Sequence, residues 1–166
     1  MSISETEALF GPLVPGRACG PCTVCCEHLV VDTAEFSKPA GTLCRYACAA
    51  GCGIYETRFE VCRDWHCLWR HMAELPESAR PDRSGIMWGY AWSDGDHPRF
   101  QTAYVHGIFL TGLASLETPE AKVALDHFRT GSLPVWVSTP SGPLTRIFPT
   151  DADIADGGWE TGLKRN

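Results

Sequence analysis

The sequence predicts an α+β protein that combines an irregular, cysteine-rich N-terminal half containing short helices with a small antiparallel β-β-α-β-β unit. Three observations predict this fold class. All nine cysteines lie between positions 19 and 67. Two segments after position 85 alternate with the period of two of β-strands, and one segment after position 118 has helical spacing. The expected boundaries are 1–75 for the cysteine-rich module, 76–150 for the α+β unit and 151–166 for a tail.

The composition excludes some classes of protein. With 44% hydrophobic and 20% charged residues, the chain of 166 residues has enough apolar side chains for an ordinary core. The net charge of -6, without a run of lysines or arginines to neutralise phosphates, argues against a nucleic-acid partner. The acidic start lacks the features of a secretory signal, and no apolar stretch approaches the ~20 residues of a membrane span. We therefore expect a cytoplasmic protein without a membrane partner.

The segment from Gly11 to Cys26 is dominated by glycine, proline and cysteine. Such a segment buries little apolar area, so it needs a cross-link to hold one shape. Disulfides explain the cysteines poorly, because their number is odd and the cytosol keeps thiols reduced. Metal ligation explains them better, since the free energy of metal binding then stabilises the fold. The module 1–75 is thus predicted to bind metal.

The first cysteine cluster places four cysteines within eight residues, in the order Cys19-Gly20-Pro21-Cys22-Thr23-Val24-Cys25-Cys26. Two intervening residues allow a tight turn to aim both flanking sulfurs at one ion. Zinc knuckles and iron–sulfur loops both use this spacing. The cluster is therefore a strong indication of a metal site.

The remaining cysteines are Cys44, Cys48, Cys52, Cys62 and Cys67. The first three are spaced by four, so a helix would place them on one face, although the glycines near position 51 would end it. Good helix formers fill 55–75, and within that stretch Cys62 and His66 would share a face, which makes His66 a candidate nitrogen ligand. Arginines in the same region would compensate the charge of metal-bound thiolates. They are Arg45, Arg58, Arg63 and Arg70.

Together the cysteine groups carry a family pattern. After the first cluster come Gly41-x-x-Cys44 and Cys52-Gly53-Ile54-Tyr55-Glu56-x-Arg58-x-x-x-Cys62-Arg63-x-x-x-Cys67. Over about residues 17–70 the chain resembles the YkgJ or CxxCxxCC family, whose members are described as zinc- or iron-chelating and in some cases as iron–sulfur proteins. Phe59, where the family usually has proline, and the extra Cys48 depart from the pattern. The resemblance implies as metal ligands Cys19, Cys22, Cys25, Cys26, Cys44, Cys52, Cys62 and Cys67.

Several functions stay open at this level. The metal is either zinc or an iron–sulfur cluster, because thiolates suit both, and the ligands permit two four-ligand sites or one polynuclear site. The centre would make the protein a carrier of metal or clusters, an electron-transfer unit or a scaffold for a protein partner. One alternative is a thiol redox protein, and another is an enzyme in which Cys67 is the nucleophile and His71 the base. The cysteine pairs available for redox chemistry are Cys19/Cys22 and Cys25/Cys26.

The second half of the chain begins after a predicted linker over 74–82, where two prolines and several charges disfavour both helix and strand. Alternation predicts strands over 86–92 and 100–106, and the turn residues Ser93-Asp94-Gly95-Asp96 lie between them. These two strands are expected to pair as an antiparallel hairpin.

A helix is predicted to begin at Pro119, with Thr118 as its N-cap, and to end at Gly131. Its buried stripe would consist of Ala121, Ala124, Leu125 and Phe128. Two further strands are predicted over 133–137 and 144–148, separated by a turn that contains two prolines. The glycine-rich, acidic tail 151–166 is expected to be mobile, and Trp159 is the residue in it most suited to docking.

Overall fold

The computed structural model describes residues 3–92 and 103–155. The chain divides into two compact units, Met1–Met87 and Trp88–Asn166. The first unit therefore extends beyond the boundary expected after residue 75. The expected linker instead contains a 3-10 turn at Glu77–Ala79 and a short helix at Pro81–Ser84. Short helices and small sheets agree with the α+β class at this coarse level.

The described part of the first unit contains short helices and two small hairpins. In chain order they are α1 (Ile3–Phe10), α2 (Val24–His28), β1 (Val31–Asp32), β2 (Ser37–Lys38), β3 (Ala47–Cys48), β4 (Gly51–Cys52), α3 (Glu60–Asp64) and α4 (Pro81–Ser84). The pairs β1–β2 and β3–β4 are both antiparallel. Further 3-10 turns lie at Tyr55–Thr57 and Leu68–Arg70.

The two helices considered for the cysteine-rich module do not form as expected. Residues 44–52 contain the β3–β4 hairpin, because Gly51 adopts a φ of 111° that allows the chain to reverse there. The stretch 55–75 is interrupted after its first turn, where Arg58 and Phe59 have extended ψ angles near 150 and 148°. It is interrupted again at Trp65, which has a ψ of 129°. The prediction that one helix carries both Cys62 and His66 is therefore wrong.

Apolar side chains around the cysteine loops form the core of the first unit. Leu68, Met72 and Leu75 are fully buried, and Trp69 is nearly so. The indole N–H of Trp69 donates to the carbonyl of Pro76 at 3.1 Å, so its one polar group is satisfied. The segment that follows Cys67 is thus anchored by burial, although it contains little regular structure.

The second unit is built on a four-stranded sheet in the order β5-β6-β7-β8. Its elements are β5 (Ile86–Trp92), β6 (Ala103–Phe109), α5 (Pro119–Thr130), β7 (Val135–Ser138), β8 (Thr145–Phe148) and α6 (Asp151–Ala155). The β-β-α-β-β order is as predicted. The prediction of an entirely antiparallel sheet is wrong, because β6 and β7 pair in parallel, with His106 opposite Trp136. The helix between them returns the chain to the same end of the sheet, as a parallel connection requires.

Helix α5 confirms the predicted signals. The Thr118 hydroxyl accepts from the amide of Ala121 at 3.3 Å, Pro119 lies at the first helical position, and Gly131 follows the last turn. The expected stripe of Ala121, Ala124, Leu125 and Phe128 is buried. Edge-to-face contacts place Trp88 5.2 Å from the ring centre of Phe128. The sequence pattern therefore identified both the helix and its buried face.

The tail differs from the expectation in its first residues, because Asp151–Ala155 form α6. The hydroxyl of Thr150 accepts from the amide of Asp153 at 3.2 Å, and the Asp153 carboxylate accepts from the amide of Thr150 at 2.7 Å. This reciprocal capping supplies the start that the sequence reading missed. The turn predicted at 93–96, the start of the following strand and Trp159 lie outside the described residues. Among the residues described, no helix has the length and apolar character needed to cross a bilayer.

Candidate metal centre

Eight of the nine cysteines line one cavity of about 300 Å³ in the first unit. They are the eight that the family resemblance implies as ligands, namely Cys19, Cys22, Cys25, Cys26, Cys44, Cys52, Cys62 and Cys67. The ninth, Cys48, is exposed on β3 and is not part of the lining. All nine thiols are free. Residues that are spread over 49 positions of sequence are thus collected around one space.

Cys19 and Cys22 lie in a tight turn that precedes α2, and the amide of Cys22 donates to the carbonyl of Cys19 at 3.0 Å. Hydrogen bonds from Arg17, which precedes this turn, connect it to the segment after Cys67. Its guanidinium donates to the carbonyls of Trp69, Met72 and Leu75 at distances of 2.5, 2.7 and 2.5 Å. The two ends of the cysteine-rich sequence are thereby held together.

The β3–β4 hairpin brings Cys52 to the cavity. The amide of Cys44, just before the hairpin, donates to the carbonyl of Cys26 at 3.0 Å. Gly51 in the hairpin approaches the first cysteine turn so closely that a Cβ there would lie 1.9 Å from the carbonyl oxygen of Gly20. Only glycine permits this contact between the two cysteine groups.

An aromatic cluster positions Cys62. Phe59 stacks on Phe36, with ring centres 5.1 Å apart, and lies 5.8 Å from the ring centre of Tyr46. The carbonyl of Phe59 accepts from the amide of Cys62 at 2.9 Å in the first turn of α3. Phe59, at a position where the family that the chain resembles usually has proline, thus starts α3 and also makes aromatic contacts.

Backbone amides also point at the sulfurs. Each such N–H group favours the thiolate and lowers the pKa of the cysteine that accepts from it. The amides of Val24 and Asp82 donate to the sulfur of Cys22. The amide of Ile54 donates to the sulfur of Cys52, and the amide of Arg70 donates to the sulfur of Cys67. Hydrogen bonds of this kind surround metal-bound thiolates in iron–sulfur proteins and tune their properties.

Two arginines of the predicted four face the cavity. A guanidinium nitrogen of Arg70 lies 3.5 Å from the sulfur of Cys19 and 3.3 Å from the hydroxyl of Tyr55. Arg58 donates to the Tyr55 carbonyl at 2.8 Å and covers the Tyr55 ring at 3.7 Å. Arg45 instead covers the ring of Phe36, and Arg63 donates to a backbone carbonyl. The prediction that all four arginines compensate thiolate charge is therefore too broad.

Lys38 supplies a further positive charge that sequence reasoning missed. Its ammonium group is buried at the C-terminal end of α2 and donates to the carbonyls of Glu27 and Pro39, each at 3.2 Å. A cation is favourable there because unpaired carbonyls gather at the end of a helix. Its charge also lowers the pKa of Cys26.

Burial favours the protonated form of four of the thiols that line the cavity. It raises the pKa of Cys22, Cys52 and Cys62, and it raises the pKa of Cys67 to about 12. Buried low-dielectric surroundings disfavour the charged thiolate, which is the physical cause of these shifts.

The adjacent residues Cys25 and Cys26 behave in opposite ways. The thiol of Cys25 donates to the sulfur of Cys26, which raises the pKa of Cys25 well above its usual value. The same hydrogen bond, helped by Lys38 and Arg58, lowers the pKa of Cys26 to about 7. Cys25 is thus the protonated member of the pair, and Cys26 ionises more readily than an ordinary cysteine.

His66 lines the cavity, as expected for a candidate ligand, although no helix joins it to Cys62. Its Nδ1 is buried without a hydrogen-bond partner among the described residues. Burial, together with the charges of Arg70 and Arg58, lowers the pKa of His66 to about 4, so the ring is neutral at pH 7. A neutral imidazole can donate a lone pair to a metal.

The sulfurs share a cavity but are not arranged as a finished metal site. Within 3–92 and 103–155, no three side chains of His, Cys, Asp or Glu have their donor atoms grouped around one point. Metal binding by the cysteines therefore requires thiols to lose protons and side chains to rotate toward one another. The donor set itself is the one that zinc and iron–sulfur clusters use.

Like Lys38, Arg17 and Asp82 contribute to the site although the sequence did not predict it. Arg17 is two positions before Cys19 and belongs to no motif. Asp82 falls in the segment read as a linker, yet its amide contacts Cys22. Neither residue has a local sequence signal, because its role depends on partners more than fifty positions away.

No family model, curated protein or solved structure matches this chain.

Proposed function

We propose that this protein binds a metal, as zinc or an iron–sulfur cluster, through cysteine thiolates in the cavity of the first unit, and that it is a relative of the YkgJ family. One observation carries the proposal. The eight cysteines that the resemblance implies as ligands line the cavity, and the extra Cys48 does not. The residues that the family pattern implies as ligands thus lie around one cavity, which supports the proposal.

The surroundings of the cavity support the same proposal. Lys38, Arg58 and Arg70 bring positive charge to a place where several thiolates would leave a net negative centre. Backbone N–H groups directed at Cys22 and Cys52 would stabilise their ionised sulfurs. The bound metal would supply either a structural cross-link, in the case of zinc, or one-electron transfer, in the case of an iron–sulfur cluster.

A thiol redox function has one observation in its favour, which is the hydrogen bond between Cys25 and Cys26. A disulfide between them is disfavoured, because consecutive Cα atoms are about 3.8 Å apart and disulfides need about 4.4–6.8 Å. Cys19 and Cys22 lie in a turn ahead of α2 rather than at the first turn of a helix, where redox pairs usually lie. Metal binding therefore accounts for more of the site.

The enzyme alternative has less support. The Nδ1–H of His71 donates to the carbonyl of Gly11 at 2.9 Å, and the ring lies edge-on to His66. Cys67 is partly buried in the lining of the cavity, and desolvation raises the pKa of its thiol to about 12. A protonated thiol is a poor nucleophile, so Cys67 is better suited to binding a metal than to attacking a substrate.

Anaerobic purification followed by elemental analysis for zinc, iron and sulfide tests the proposal. Brown protein that contains iron and sulfide would identify a cluster, and colourless protein with stoichiometric zinc would identify a zinc site. Cys22→Ser should lower metal content and loosen the first unit, while hydrogen exchange in β6, β7 and α5 stays slow.

The matched control is Cys48→Ser, which removes an exposed thiol that does not line the cavity. Metal content in this variant should equal that of the wild type. A wild-type protein that contains no metal and takes up neither zinc nor iron would overturn the proposal, as would equal metal loss in the two variants.

A further inference from the structure

We propose that the eight cysteines form two neighbouring four-thiolate metal sites rather than one shared centre. Site A consists of Cys19, Cys22, Cys25 and Cys67, and site B consists of Cys26, Cys44, Cys52 and Cys62. This inference rests on the proposed function, because it divides the same cavity. It also identifies the boundary between the sites as the peptide bond that joins Cys25 to Cys26.

Contacts around Arg70 join Cys19 and Cys67, the first and last members of site A, and the amide of Cys22 donates to the carbonyl of Cys19 at 3.0 Å. The guanidinium of Arg70 donates to the sulfur of Cys19 at 3.5 Å, and its backbone amide donates to the carbonyl of Cys67 at 2.9 Å. The guanidinium of Arg17 binds three carbonyls in the segment after Cys67. The beginning and the end of the cysteine-rich sequence therefore meet at site A.

A different set of contacts unites site B. The carbonyl of Cys26 accepts from the amide of Cys44 at 3.0 Å, and the carbonyl of Cys44 accepts from the amide of Ala47 at 2.9 Å. Ala47 is paired with Cys52 in the β3–β4 hairpin. The ring of Phe59, one turn before Cys62, packs on Tyr46 beside this hairpin. None of these contacts involves a residue of site A.

Helix geometry explains how adjacent cysteines can serve separate sites. Cys25 and Cys26 lie in α2, where consecutive side chains point about 100° apart. Cys25 and Cys26 both line the cavity, and this angle allows them to bind different ions there. Two residues separate Cys22 from Cys25, a spacing that lets both sulfurs reach one ion. The spacing C-x-x-C-x-x-C-C thus supplies three ligands to site A and one to site B.

Each site also has its own positive neighbours. Arg70 contacts the sulfur of Cys19 in site A. In site B, the ammonium group of Lys38 donates to the carbonyl of Glu27, the residue next to Cys26, at 3.2 Å, and Arg58 lines the cavity. Each proposed centre therefore has a cation of its own nearby, which reduces the repulsion between two negatively charged centres.

Zinc titration of the full-length, reduced chain tests the division, with Zn²⁺ alone as the probe because four-thiolate sites bind zinc whatever their native metal. Native mass spectrometry should show saturation at two zinc ions per chain, one for each set of four ligands. The one-zinc species is then pulsed with N-ethylmaleimide and its peptides are sequenced. The cysteines of one site should be protected together while those of the other site are alkylated.

A matched pair of variants provides a second test of the division into two sites. Cys22→Ser should retain one zinc ion and protection at site B, and Cys44→Ser should retain one zinc ion and protection at site A. Cys48→Ser should bind both ions. The alkylation pattern of the wild-type chain decides the question without variants if a substitution prevents folding.

The possible failures are distinguishable. A wild-type chain that binds no zinc overturns the proposed function and the division together. Uptake of zinc in one step, with all eight cysteines protected at once, overturns the division and leaves metal binding standing. Protection of a set that mixes members of the two sites also overturns the division.

Discussion

A guanidinium nitrogen of Arg70 lies 3.5 Å from the sulfur of Cys19, although 51 positions separate the two residues in sequence. Arg70 is buried, and its Nε has no hydrogen-bond partner among the described residues. In the proposed metal site, the guanidinium would offset the negative charge of a thiolate at Cys19. Substitution of Arg70 therefore tests the proposal without removing a cysteine.

Arg70→Gln should weaken zinc binding by about 10- to 100-fold, the usual effect of removing a partner of a metal ligand. The change removes the positive charge beside Cys19 and the hydrogen bond to its sulfur. Competition against a chromophoric chelator measures the affinity. Arg63→Gln is the control, because Arg63 is an arginine of the same region that donates to the Arg58 carbonyl and does not line the cavity. Equal losses in the two variants would contradict a specific role for Arg70.

Arg17→Ala should lower the free energy of unfolding of the first unit by about 2 kcal/mol, because part-buried carbonyls lose their donors. The affected carbonyls belong to Trp69, Met72 and Leu75. The guanidinium also lies 4.9 Å from the Trp69 ring centre, and this contact is lost as well. Urea unfolding followed by tryptophan fluorescence gives the measurement.

Arg83→Ala is the matched control for Arg17, since the Arg83 side chain is half exposed and pairs with Glu77 on the surface at 3.3 Å. Surface pairs of this kind contribute about 0–1 kcal/mol. If the two substitutions shift the unfolding midpoint equally, Arg17 does not fasten the cysteine turn in the way that its hydrogen bonds indicate.

Gly51→Ala should disrupt the close contact between the β3–β4 hairpin and the turn that contains Cys19 and Cys22. The added methyl group would lie 1.9 Å from the Gly20 carbonyl oxygen, and the φ of 111° is unfavourable for alanine. We expect loss of metal binding together with destabilisation. Gly41→Ala is the matched control, because Gly41 also has a positive φ, 76°, but has open space around the Cβ position. The free energy of unfolding of the Gly41→Ala variant should fall by only about 1–2 kcal/mol, and the variant should retain its metal.

The metal-free, reduced protein should become less stable as the pH rises above about 9. Burial raises the pKa of Cys67 from the ordinary value of 9.0 to about 12 in the folded state. Between these values the unfolded chain loses the Cys67 proton and the folded chain keeps it, so unfolding becomes more favourable with increasing pH. Urea unfolding of the wild type and of Cys67→Ala over this range is the test.

The alanine variant lacks the titrating thiol, so its stability should depend less steeply on pH than that of the wild type. If the stabilities of the wild type and the variant depended on pH to the same extent, the Cys67 thiol would ionise as readily in the folded protein as in the unfolded chain. Zinc-loaded protein should not show the decline, because the bound thiolates are already deprotonated.

Local signals predicted the second unit well. The cap at Thr118, the proline at 119 and the glycine at 131 lie at the ends of α5, and the alternation around Trp88 marks β5. The same signals did not reveal that β6 and β7 are parallel. Alternation identifies a strand and its faces, but the direction of its partner depends on the connection between them.

The cysteine-rich module was less predictable because its structure depends on contacts between distant residues. The cysteine motif named the residues that line the cavity, but nothing local indicated the close approach of Gly51 to Gly20. The helix expected over 55–75 is interrupted at Phe59 by an aromatic cluster with Phe36 and Tyr46. Here tertiary packing overrides helix propensity, which is a weak preference of less than about 1 kcal/mol per residue.

The most direct test of thiolate metal binding is X-ray absorption spectroscopy at the zinc and iron edges of the anaerobically purified wild-type protein. The account predicts a first shell of sulfur alone, at about 2.3 Å from the metal. A first shell made of oxygen or nitrogen atoms, or the absence of both metals even after reconstitution, would contradict it.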